Sequence, residues 1–146
     1  MRNCGSCTLC CYLFEIPYLN KASNTECQYC EKGCSIYEER PECCLGFNCA
    51  WLQVENANEQ LRPDNCKMVF EKINDRLFHG ARDTRYPITE AAKGQVMAFV
   101  SQGFSVAIRD EYSTKITLAE GHTMEEICAD LNSHLEKRRG CSIVHN

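Results

Sequence analysis

The sequence predicts an α+β protein in which an irregular, cysteine-rich N-terminal segment packs on a small β-β-α-β-β-α layer. Three observations carry this. Cysteine density drops abruptly near residue 53, apolar residues beyond 66 recur at strand and helix periods, and 146 residues can bury one modest core but not two independent ones. The chain therefore divides into a cysteine-cluster segment, 1–53, and a small α+β part, 54–146, that forms one compact unit with it.

Residues 1–53 show few sustained apolar periods but repeated Cys, Gly, Asn and Pro, so some bond other than apolar burial must offset much of their ordering entropy. Ordinary periodicity returns at residue 66. Lys67-Met68-Val69-Phe70-Glu71-Lys72-Ile73 is strand-like, Asn74-Asp75 makes a turn, and Arg76-Leu77-Phe78-His79-Gly80-Ala81 completes a hairpin. Thr89 caps a helix over 89–102 whose Ala92, Val96, Phe99 and Val100 share a face, and Gly103 ends it. Ser105–Arg109 and Lys115–Leu118 alternate like two further strands joined through Asp110 to Thr114. Thr123-Met124-Glu125-Glu126 is a capping box that opens a last helix with Met124, Ile127, Cys128, Leu131 and Leu135 on one face. The layer is expected to set its helices against an antiparallel sheet.

Hydrophobic residues make up 44% of the chain and charged residues 25%, which suggests neither disorder nor a membrane span. Thirteen cysteines are the anomaly. Such a density means either a disulfide scaffold or metal ligation. No apolar run reaches the length of a signal peptide or of a transmembrane helix, so a cytoplasmic location is expected. Thiols there stay reduced, and an odd count leaves one over in a fully disulfide-bonded scheme; metal is the better reading. The N-terminal segment is then metal-stapled. The net charge of −4 falls further once thiols ionise on a metal, which argues against a nucleic-acid partner. The basic run Lys137-Arg138-Arg139 reads as a helix C-terminus facing its own dipole.

The chemistry lies in Cys4-x2-Cys7-x2-Cys10-Cys11, Cys27-x2-Cys30-x3-Cys34, Cys43-Cys44 and Cys49. A two-residue gap lets two thiolates reach one ion while the intervening amides point at sulfur. Repetition raises this above a lone CxxC, which could be a redox dithiol. Residues 4–52 resemble the CxxCxxCC (YkgJ-type) cysteine-cluster family, a zinc- or iron-chelating domain. The resemblance rests on the opening CGSCTLCC, on Cys34-Ser35-Ile36-Tyr37 leading to Arg40-Pro41, and on Cys44, Phe47, Cys49 and Trp51-Leu52. It implies metal ligands among Cys4, Cys7, Cys10, Cys11, Cys27, Cys34, Cys44 and Cys49, with Cys30 as a ninth participant. Two departures stand out: Leu45 occupies a position where relatives often carry Arg, and Cys43 adjoins Cys44, although the spacing from Pro41 favours Cys44.

No histidine lies in this segment, so the ligands are expected to be all sulfur. Four-cysteine zinc gives closed structural sites, whereas the same soft shell suits iron–sulfur clusters. Arg40, set by Pro41, is expected to donate to the thiolates, and Tyr37, Phe47 and Trp51 to shield them or simply to fill the core. His79, His122, His134 and His145 read as scattered non-ligands, Cys128 as a buried small hydrophobe, and Cys66 as a thiol near the domain junction. No catalytic motif is found. The expected function is a metal-binding protein holding zinc or an iron centre for sensing, storage or transfer. The alternatives are an iron–sulfur protein supporting electron transfer or macromolecule modification, and a zinc-stabilised protein-interaction module.

Overall fold

A computed structural model of the chain describes residues 4–47 and 49–140; Cys141 and His145 lie outside the described residues. Its centre is a four-stranded sheet of β1 (Met68–Lys72), β2 (Leu77–Arg82), β3 (Ser105–Arg109) and β4 (Thr114–Thr117), in that order. Both hairpins form as their apolar alternation predicts. The sheet is not antiparallel throughout, however: β2 and β3 run parallel, with His79 opposite Ala107. The helix between them, α5 (Glu90–Ser101), provides the crossover that a parallel pair requires.

Strand periodicity places the helices. Phe78 and Val106 cluster with Phe70 and with Ala92, Val96 and Phe99 of α5, and the Phe78 and Phe99 rings stack 3.8 Å apart. Leu77 and Ala107, one residue out of step, cluster with Ile127 and Leu131 of α6 (Met124–Gly140). The two helices thus cover opposite faces. Thr89 caps α5 by accepting from the Ala92 amide at 3.0 Å, and the Glu126 carboxylate accepts from the Thr123 amide at the same distance, as the capping patterns predict.

The N-terminal segment is a chain of turns and one-turn helices: α1 (Leu9–Leu13), α2 (Glu42–Leu45), α3 (Ala50–Gln53) and α4 (Pro63–Cys66), with short 3-10 turns at Pro17–Leu19, Tyr37–Glu39 and Glu59–Leu61. It also contributes to the main core, since Leu9, Leu13, Ala50 and Trp51 cluster with Met68, Val69 and Phe70 of β1. Apolar burial therefore holds the two ends of the segment. Between Ala22 and Gly46 the buried residues among those described are Cys27, Gly33 and Pro41, so this middle stretch has no apolar core of its own. Arg85 adds a clamp: paired with buried Asp83 at 2.9 Å, it lies 3.6 Å over the Tyr12 ring. No helix among the described residues is long and apolar enough to cross a membrane.

Candidate metal centre

Both CxxC units are tight turns, with the Cys7 amide donating to the Cys4 carbonyl at 2.9 Å and the Cys30 amide to the Cys27 carbonyl at 3.0 Å. Gly5 takes φ +55° inside the first. A bridge pairs Cys30 with Cys34, and Gly33 between them has φ +128°, which lets the loop lie flat on the Gly5 carbonyl. Pro41 starts α2, whose Cys44 amide donates back to the Pro41 carbonyl at 2.9 Å. Cys49 caps α3 and its sulfur accepts from the Leu52 and Trp51 amides. Cys7 likewise accepts from the amides of Leu9 and Asp64. Amides thus face sulfur at Cys7 and Cys49.

These units converge on one cavity of about 330 Å³. Of the nine expected ligands, Cys4, Cys7, Cys10, Cys11, Cys27, Cys34, Cys44 and Cys49 line it. Cys30 is not among the lining residues; it lies half-exposed beside Thr8. Cys43 is disulfide-bonded, so Cys44 keeps the free thiol of that vicinal pair. Cys66 sits under the site rather than in it, donating to the Met68 carbonyl at 3.2 Å, and burial pushes its thiol up to about 11. Cys128 lies on α6, away from the cavity lining.

The thiols gather without closing. Two thiolates on one tetrahedral zinc, each about 2.3 Å from the ion, stand roughly 3.8 Å apart. Among the described residues no three cysteine sulfurs lie within 4.8 Å of one another. The cavity therefore presents a ring of soft donors wider than a single four-cysteine ion.

Burial and crowding keep most of these sulfurs protonated. Burial raises the thiols of Cys4, Cys7 and Cys49, and takes Cys44 to about 11. The vicinal pair divides one proton: Cys10 donates to Cys11 and is itself pushed well up, while Cys11, stabilised first by that hydrogen bond and then by Lys21 and Arg40, falls to about 7. Arg40 acts on the thiols through its charge. Its Nε donates to the Tyr37 carbonyl at 2.8 Å, its guanidinium lies 3.8 Å over the Tyr37 ring, and its charge lowers the thiols of Cys4, Cys11 and Cys44. Tyr37 itself hydrogen-bonds Cys4.

Two cations were not foreseen. Buried Lys21 donates to the Tyr12 carbonyl at 2.7 Å and the Phe14 carbonyl at 2.5 Å, facing Cys27, Cys11, Cys10 and Cys44. A lone lysine after Asn20 gives no pattern to read. Arg138, expected only to face the α6 dipole, reaches into the cavity, lies 3.9 Å over Phe14 and 4.9 Å over Phe47, and meets Glu71 at 3.4 Å. Here a signal existed: Ile127, Leu131, His134 and Arg138 follow one helical face.

Comparison of the chain with protein-family models, with curated proteins and with solved structures returns no match.

Proposed function

We propose that the chain is a metal-binding protein that holds zinc or an iron centre in the thiol-lined cavity, in the manner of the CxxCxxCC (YkgJ-type) family that residues 4–52 resemble. One observation carries this reading: nine cysteines from three separate stretches, eight of them free thiols, line a single cavity. Thiols scattered by chance over a surface would not converge so.

The donor chemistry fits a soft or borderline metal. Cys4, Cys7, Cys10, Cys11, Cys27, Cys34, Cys44 and Cys49 are the residues that would hold it. A bound centre would supply the cross-links that the stretch 22–46 lacks in apolar contacts. Among the described residues no three sulfurs stand close enough for a tetrahedral ion, so a bound centre would either draw them together around zinc or span the cavity as an iron–sulfur cluster. Lys21 and Arg40 supply the positive charge that a crowd of thiolates needs. Vicinal Cys10 and Cys11 provide more sulfur than one ion requires, which suits exchange of metal, so sensing, storage or transfer in the cytoplasm is the role we favour over catalysis.

The test is metal analysis of protein purified without oxygen, with Cys44→Ser and Cys49→Ser beside Cys128→Ser. We expect stoichiometric zinc in a colourless protein, or iron and sulfide in a brown one, lost in the first two variants and retained in the third. Full metal content in Cys44→Ser and Cys49→Ser together would overturn the reading.

A further inference from the structure

On the sheet, β1 and β2 place Glu71 directly opposite His79, and α6 lays His134 over both. We propose that Glu71, His79 and His134 form a separate site for a divalent transition-metal ion, Zn²⁺ or Fe²⁺, beside the thiol cavity.

Sequence position alone argues for some special use of these residues. Glu71 falls in the same alternation as Val69, and His79 in that of Leu77 and Ala81, positions that face the core. His79 is 1% exposed, yet neither of its ring nitrogens, nor Nε2 of His134, has a hydrogen-bond partner among the described residues. Buried polar atoms left unpaired lose the hydration they had in water, so an arrangement with three of them asks for a ligand.

The spacings give its class. His79 Nδ1 stands 3.6 Å from Glu71 Oε2, His134 Nε2 stands 3.3 Å from Glu71 Oε1, and one donor atom from each residue fits within 4.8 Å of the others. These separations are long for hydrogen bonds. They suit two ligands sharing an ion, because donors about 2.0–2.1 Å from a tetrahedral metal lie roughly 3.3 Å apart. Two imidazoles and one carboxylate are a donor set that borderline divalent ions take, with coordination positions left over. Glu71 and His134 both line the thiol cavity, so those positions would open into it. Arg138, 3.4 Å from Glu71 Oε2, holds the carboxylate from outside as hydrogen-bond partners of ligating carboxylates do.

This site does not rest on the thiol reading, since its donors are nitrogen and oxygen. The experiment is an anaerobic titration of the full chain with Co²⁺, whose thiolate complexes show sulfur-to-metal charge transfer and whose nitrogen and oxygen complexes do not. We expect one cobalt ion without charge transfer that persists in Cys44→Ser and Cys49→Ser. In Glu71→Gln and in His134→Gln it should bind more than the roughly 10 to 100-fold weaker that loss of an outer partner causes, with the thiolate bands unchanged. Circular dichroism checks folding, and His134, whose side chain is 19% exposed, keeps the test decisive should Glu71→Gln unfold. Cobalt bound only with charge transfer, or bound equally well by both variants, overturns the proposal. Loss of the thiolate bands from the unaltered chain, with the other ion retained, would instead overturn the thiol-cavity reading alone.

Discussion

Gly33→Ala tests whether the two cysteine turns are held together by backbone contact. A Cβ built on Gly33 would stand 2.6 Å from the Gly5 carbonyl oxygen and 3.7 Å from its carbon, with the backbone at φ +128°. That conformation costs an L-residue about 1–3 kcal/mol. Because the clash is with main chain, no rotamer change relieves it; the Cys30–Cys34 loop must lift from the Cys4–Cys7 turn, as in other overpacked sites costing about 1–3 kcal/mol. Together we expect a loss of about 2–6 kcal/mol and weaker metal retention, because Cys34 moves away from Cys4. Gly94→Ala is the control. It is exposed on the outer side of α5, nothing comes within 4 Å of its Cβ, and the change should stabilise by about 0.5–1 kcal/mol. Anaerobic denaturant unfolding and chelator competition measure both. Wild-type midpoint and metal retention in Gly33→Ala would refute the argument that this glycine juxtaposes the turns.

Three further outcomes are expected. Arg40→Ala should keep every ligand yet weaken metal binding by about 10 to 100-fold, and Arg40→Lys should recover only part of it, since lysine lacks the planar fork; chelator competition reads this directly. On chelation, hydrogen exchange should rise first across residues 22–46, while the amides of Leu9–Leu13 and Ala50–Gln53, anchored on β1, keep their protection. The metal-free fold should lose stability in acid in two windows. Burial holds His79 below its usual 6.5, so the unfolded chain binds the extra proton first and stability falls as pH drops below about 6.5; Glu71, His134, Arg138 and Arg109 all face this ring. Glu71 is held to about 2 by His134, His79 and Arg138 against the opposing effect of burial, so its contribution is complete above 4.5 and lost between there and about 2. Urea midpoints measured from pH 7 to 3 in His79→Gln and wild type check this, and parallel profiles would refute it.

The strands and both long helices were legible because each carries its own period and cap: Thr89, Gly103 and Thr123 mark boundaries within a residue or two of where they fall. The pairing of β2 with β3 was not, since local alternation says nothing about which strand lies alongside or in which direction. Spacing and the family resemblance grouped nine thiols, of which eight line the cavity, while Cys30, though in a regular CxxC, lies off it beside its bridge to Cys34. His79 and His134 looked scattered because they lie 55 residues apart in sequence. Only the Glu71–His79 register and the continuation of the α6 face beyond Leu131 bring them together.

Arg138 joins two pieces of chemistry that otherwise share only a wall. Its guanidinium faces Cys10 and rests on Phe14 and Phe47 at one side, and meets Glu71 at the other. Charge that builds up on the sulfurs draws on the same cation that steadies the Glu71 carboxylate. If both sites take ions, their affinities are bound by linkage: whatever factor the first imposes on the second, the second must return. A metal arriving among the thiols would then be sensed at the sheet, through one side chain near the end of α6.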